Sequence, residues 1–175
     1  MPFRTIAAFA CSLLLATTSL AQGGAIASPR ETASVELKSG SIKISYGAPS
    51  MRGRKVMGGD LVPYGKVWRT GANEATGFAT NTALNVGGTA VPAGTYTLYT
   101  LPGASDWMLI ISKQTGQWGT EYHQEQDLAR IPMKIAKLSS PQEKMSISFE
   151  KTSGNSTELH VKWENTDASV AITAQ

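Results

Sequence analysis

The stretch ASVELKSGSIKISY, residues 33 to 46, decides the fold. Val35 and Leu37, then Ile42, Ile44 and Tyr46, recur every second residue, with Ser39-Gly40 in the gap between the two runs. A period of two lines up apolar side chains on one face of an extended strand, and two such runs split by a Ser-Gly turn predict a β-hairpin. The alternation returns in Thr95–Leu101, Trp107–Ser112, Ala129–Leu138, Met145–Lys151, Leu159–Trp163 and Ser169–Thr173. Gly87-Gly88, Pro92-Ala93-Gly94, Pro102-Gly103, Ser140-Pro141 and Gly154-Asn155 supply turn residues between them. Short strands at this spacing predict an all-β fold, an antiparallel β-sandwich of jelly-roll or Greek-key type. Helix is confined to a turn or two over Glu121–Leu128, where EYHQEQDL lacks β-branched residues.

One segment breaks the pattern. Ala48–Lys66, APSMRGRKVMGGDLVPYGK, is rich in glycine and proline and has little periodicity. It predicts a long ordered loop, held down by the apolar Val56, Met57, Leu61 and Val62.

At the N-terminus, Arg4 precedes an apolar run from Ile6 to Ala16, followed by small residues at Ser19 and Ala21. That is the pattern of a secretory signal peptide over residues 1–21, so the protein is expected to be exported, periplasmic or secreted. Residues 22–31 predict a flexible lead-in and 32–175 a single all-β domain. The apolar run is shorter than the ~20 residues of a membrane span, and no later run approaches that length. Cys11, the single cysteine, lies inside the signal, so the mature chain has no disulfide, thiol nucleophile or Cys-ligated metal. Of 16 Lys and Arg, the signal removes Arg4, leaving 15 against 13 Asp and Glu, a net charge of +2. The only basic cluster is Arg52, Arg54 and Lys55, too small a footprint for nucleic acid.

Polar chemistry concentrates in VWRTGANEATGF, residues 67 to 78. With Val67–Thr70 ending a strand, Gly71 and Asn73 would turn the chain and Glu74 would open the next strand. Arg69 and Glu74 would then face each other across a tight connection, either as an ion pair that staples the turn or as the wall of a polar pocket completed by Asn73. In Arg52-Gly53-Arg54, one guanidinium is expected to pair with a carboxylate of the fold and the other to be solvated. In GQWGTEYHQEQDLAR, residues 116 to 130, Glu121, His123, Glu125 and Asp127 are spaced by two. The spacing fits no established metal motif, so a solvated turn is expected, with Trp118 packed against the sandwich and Asp127 or Arg130 in a salt bridge. Neither metal nor cofactor is expected. No nucleophile elbow, phosphate loop or singled-out carboxylate pair is present. Trp68, Trp107, Trp118, Tyr64, Tyr96, Tyr99 and Tyr122 would stack on sugars where exposed, although half the positions of any strand face inward.

Five blocks, SPRETASVELKSGSIKISYGAPSMRGR, VPYGKVWRTGANEAT, VPAGTYTLYTLP, QWG and DLARIP, resemble the uncharacterised bacterial family catalogued as domain of unknown function 2911. The resemblance runs from about Ser28 to the C-terminus. It implies a secreted or envelope protein with an all-β domain and no established activity, and places Arg54, Arg69, Gly71, Asn73, Glu74 and Trp118 in the family's pattern.

The residues together predict a non-enzymatic domain that binds a small polar ligand or a glycan through Arg54, Arg69, Asn73 and Glu74, with Trp118, His123 and Asp127 alongside. Two alternatives stand beside it. One is a hydrolase using Glu74 as general acid or base; the other is a structural or protein-interaction module in which the patch is an internal staple.

Overall fold

A computed structural model describes residues 27–175. The expected signal peptide, residues 1–21, and residues 22–26 of the expected lead-in lie outside the described residues. The lead-in's last two residues, Arg30 and Glu31, already belong to a strand, and the Pro29 carbonyl accepts a hydrogen bond from the Ala48 N–H at 2.8 Å.

The fold is all-β and antiparallel, as the alternation predicts. Nine strands form one open sheet: β1 (Arg30–Leu37), β2 (Gly40–Gly47), β3 (Thr76–Thr80), β4 (Leu84–Val86), β5 (Thr89–Val91), β6 (Gly94–Pro102), β7 (Trp107–Ser112), β8 (Asp127–Ser153) and β9 (Ser156–Ala174). Their order is β1-β2-β3-β6-β7-β8-β9-β4-β5. The chain leaves β3, forms the β4–β5 hairpin against β9, and returns as β6 beside β3. Ile42 and Ile44 on β2 are fully buried while Lys43 between them is exposed, so the hairpin that decided the class behaves as its period requires. In β6, by contrast, Tyr96 to Thr100 are all buried, because a central strand is covered on both faces.

The layering takes a form that periodicity does not carry. Four expected strands merge into two, since β8 spans both 129–138 and 145–151, and β9 spans both 159–163 and 169–173. Ser140-Pro141 is no hairpin turn. Proline has no N–H for a ladder, and the β8–β9 register jumps there from Lys137↔Thr166 to Gln142↔Glu164. A second jump follows before Ser146↔Lys162. These bulges bend β8, which pairs first with β7 and then with β9, so that it packs against β1 and its later part reaches the Tyr46 side chain of β2. There the Ile147 N–H donates to the Tyr46 hydroxyl at 3.1 Å, and the Met145 N–H donates to the Pro49 carbonyl at 2.9 Å.

The long loop after β2 is ordered and packed, as expected. Val56 and Val62 are fully buried and Met57 nearly so. A carboxylate secures it: Glu164 Oε2 on β9 accepts from the N–H groups of Val56 at 3.1 Å and Met57 at 2.6 Å. Glu164→Ala would orphan both donors at a cost of about 1–3 kcal/mol. Hydrogen exchange at the Val56 and Met57 amides should accelerate selectively; unchanged protection would show that the carboxylate does not hold the loop.

The strand expected over Val67–Thr70 shrinks to one bridge, Trp68↔Thr100, and the next strand starts at Thr76 rather than Glu74. Thr70 (φ 52°) and Asn73 (φ 63°) are both left-handed, which breaks extended geometry on either side of Gly71. For the β-branched Thr70 this is strained, and burial with hydrogen bonds overrides the cost. Its hydroxyl bonds with Thr100 Oγ1 at 3.1 Å, and its carbonyl accepts from Thr76 Oγ1 at 3.0 Å. Gly47 allows the turn to dock, because a Cβ there would lie 2.2 Å from the Ala72 carbonyl oxygen. Beneath the turn, the Trp68 ring stacks on Trp163 (6.0 Å, 21°) and meets Trp107 edge-on (6.3 Å, 87°).

Candidate functional site

Above that tryptophan cluster lies a cavity of about 230 Å³. Arg52, Arg54, Arg69 and Asn73 line it, over Trp68 and Trp163. The long loop brings in Arg52 and Arg54. Left-handed backbone at Arg52 (φ 50°) and Gly53 (φ 72°) folds a tight turn, closed by the Arg54 N–H on the Met51 carbonyl at 3.0 Å. Arg54 then anchors itself to its own turn, Nε to the Met51 carbonyl and Nη2 to the Ser50 carbonyl, both at 2.9 Å. Arg52 Nη2 donates to the Ala27 carbonyl at 3.1 Å, and Asn73 Nδ2 to the Ser28 carbonyl at 3.4 Å. Arg69 makes one longer bond, Nε to the Gly71 carbonyl at 3.3 Å.

Among the described residues, none of these three guanidiniums is in an ion pair. The carboxylate expected for Arg52 or Arg54 is diverted, since Glu143 Oε1 accepts the Arg52 backbone N–H at 2.8 Å instead. Three cations around one small concavity, held only by carbonyl oxygens, form a site of positive potential with free donors.

The structure separates the rest of the predicted patch. Arg69 and Glu74 do not pair. Asn73's left-handed backbone sends Glu74 to the other side of the turn, where its Oε2 lies 3.3 Å from Arg30 Nη1. Glu74 and Trp118 line a second, open cleft of about 420 Å³, and an isolated bridge joins their backbones. Trp118 does not pack down as expected; it is 47% exposed. His123 lies 3.3 Å from Glu125, both well exposed, and lines neither cavity. Asp127 forms the expected salt bridge with Arg130 at 2.8 Å and also accepts from the Tyr122 hydroxyl at 2.7 Å. The expected helical turn is a single 3-10 turn, Gln124–Gln126. Arg52 could have been placed in the site from its pairing with Arg54 in sequence; Arg30 and Trp163 carried no such signal, because their roles depend on strands far along the chain.

A third hollow, about 330 Å³, shares Arg69 and Trp68 with the first and includes Tyr122. Burial, followed by the adjacent Asp127 carboxylate, pushes the Tyr122 hydroxyl up to about 12. Burial also raises Tyr46 and Tyr99. A folded-state value above the unfolded one means that the folded protein retains a proton the unfolded chain releases. The associated stability is present below about pH 10 and is lost as pH rises toward about 12. Melting temperature should fall across that window, and Tyr122→Phe should make the fall shallower; an identical slope in the variant would exclude Tyr122 as a contributor.

A family model described as Protein of unknown function (DUF2911) matches residues 28–172. The chain belongs to that family. No curated protein and no solved structure matches it. The match begins at Ser28, whose carbonyl meets Asn73, so the whole arginine cavity except Ala27 falls inside the DUF2911 region.

Proposed function

We propose that this is an exported, non-enzymatic binding domain of the bacterial envelope that captures a small anionic ligand, a carboxylate or phosphate compound, in the arginine cavity. One observation carries the reading: Arg52, Arg54 and Arg69 converge on a single cavity with no carboxylate partner among the described residues. Like charges held close repel one another, and an anion bound between them relieves that cost while gaining charge-assisted hydrogen bonds. The guanidinium fork suits planar carboxylate or tetrahedral phosphate, and the Asn73 amide adds a neutral donor. The volume, about 230 Å³, lies below the ~300–1,000 Å³ of drug-sized sites, which favours a ligand of few atoms. Export rests on the Arg4 and Ile6–Ala16 pattern.

The hydrolase alternative gains no support, because Glu74 has a side chain 60% exposed and tied to Arg30. The staple alternative required an Arg69–Glu74 pair, and Glu74 is partnered elsewhere.

Thermal unfolding against small mono-, di- and tricarboxylates, phosphate and sulfate tests the proposal, with sodium chloride matched for ionic strength. An anion at about a hundred times its Kd stabilises the folded state by ~2.7 kcal/mol and raises the melting temperature by several degrees. No shift beyond the chloride control for any of these anions would overturn it.

A further inference from the structure

We infer that the open cleft around Trp118 is a carbohydrate-binding site, distinct from the arginine cavity, which takes the flat face of a pyranose ring against the indole. Gln117 and Trp118 are successive residues where the chain bends at the isolated Glu74↔Trp118 bridge, and their side chains part to opposite environments. Gln117 points inward, 9% exposed, with Nε2 donating to Thr97 Oγ1 at 3.2 Å and Tyr99 Oη at 3.0 Å. Trp118 points outward. Hydrophobic partitioning alone would choose the opposite register, burying the indole and exposing the amide.

The backbone locks that choice. The Ala75 N–H donates to the Gln117 carbonyl at 3.3 Å, and the Gly119 N–H donates to the Asn73 carbonyl at 3.1 Å. A Cβ at Gly119 would lie 2.6 Å from the Asn73 carbonyl oxygen and 2.7 Å from Arg69 Cδ, so the segment cannot slide by one residue. The other three tryptophans, Trp68, Trp107 and Trp163, are 6%, 3% and 1% exposed. A rigidly presented indole that departs from local preference marks a recognition surface.

The polar groups beside it suit a polyol. Glu74 shares the cleft, and Arg30 fixes its carboxylate through Oε2. Arg30 is itself tied to Ser45 Oγ at 2.9 Å and the Ala75 carbonyl at 3.3 Å. Glu74 Oε1 is left as an oriented acceptor for the hydroxyl donors of a sugar ring, whose C–H face complements the negative face of the indole. A cationic ligand fits less well, because Arg30 offsets the Glu74 charge and a single ring makes no aromatic cage. The volume of about 420 Å³ is within the usual range of ligand clefts.

Because Trp118 is the one exposed indole, acrylamide quenching of tryptophan fluorescence reads it directly. The purified protein is titrated with cellohexaose, mannohexaose, chitohexaose and hexagalacturonate. At least one is expected to saturate and to shield the indole from acrylamide. Trp118→Ala should weaken that binding about ten-fold or more by calorimetry with an unchanged melting temperature, and Trp118→Tyr should restore part of it. Arg69→Ala should leave it intact. Failure of all four sugars to saturate, or wild-type affinity in Trp118→Ala, overturns the inference. So does binding lost in Arg69→Ala but kept in Trp118→Ala, which would assign the sugar to the arginine cavity.

Discussion

Trp163→Ala is expected to destabilise the domain by about 3–5 kcal/mol, the usual cost of truncating a fully buried tryptophan. The indole is 1% exposed, stacks on Trp68, and donates from Nε1 to the Glu143 carbonyl at 3.1 Å. Removing it leaves a void under the arginine cavity and takes away one of that carbonyl's two donors, the Met51 N–H at 2.9 Å being the other. Two further contacts magnify the effect. The following residue, Glu164, holds the long loop, and Glu143 holds the Arg52 N–H, so a collapse at this point reaches both ends of the segment that carries Arg52 and Arg54. Against a total stability of ~5–15 kcal/mol, the variant should unfold at much lower urea. Trp163→Phe, which retains most of the packing and loses the N–H, should fall about midway. A loss below about 1 kcal/mol for the alanine variant would mean that the indole is not the floor of the site.

Arg69→Ala is expected to weaken anion binding by about a hundred-fold while leaving unfolding nearly unchanged. Truncating one member of a buried, hydrogen-bonded charge pair in a complex costs ~2–5 kcal/mol, and each 1.4 kcal/mol is a factor of ten. Within the protein, Arg69 makes only a 3.3 Å bond to the Gly71 carbonyl, and its charge is not neutralised in an ion pair, so little folding energy depends on it. Its removal even relieves repulsion with Arg52 and Arg54. Arg69→Lys should retain part of the affinity, since the charge persists and the planar fork does not. Calorimetry with the best anion from the thermal screen measures both variants. If Arg69→Ala instead melts far below wild type and binds as wild type does, the guanidinium serves the fold and the cavity is not its site of action.

The three arginines and Trp118 lie on opposite sides of one short turn. Thr70 and Asn73, both left-handed, divide them: Arg69 points to the arginine cavity and Glu74 to the open cleft. A chain running straight through these residues as a strand would have placed Arg69 and Glu74 on opposite sides of a regular ladder and joined neither to its observed partner.

Strand identity was legible in the sequence wherever it depended on local spacing. Ile42, Ile44 and Tyr46 alternate and are buried, and the long Ala48–Lys66 segment is ordered because Val56, Met57 and Val62 reach the core. The expectation of export, too, rests on the first 21 residues alone. The chemical character of the VWRTGANEAT stretch was visible, since a cation, an amide and a carboxylate close together are out of place in an alternating strand. Tertiary structure decided which of them meet. Glu74 finds Arg30, 44 residues away, and Arg69 joins Arg52 and Arg54 from a distant loop, while bulges at Pro141 merge four expected strands into two. It also turned Trp118 outward. The reason is physical: a side chain's face within a strand follows from a period of two that neighbours can state, whereas a charge's partner and a strand's register depend on long-range pairing and on the few left-handed residues that redirect the chain.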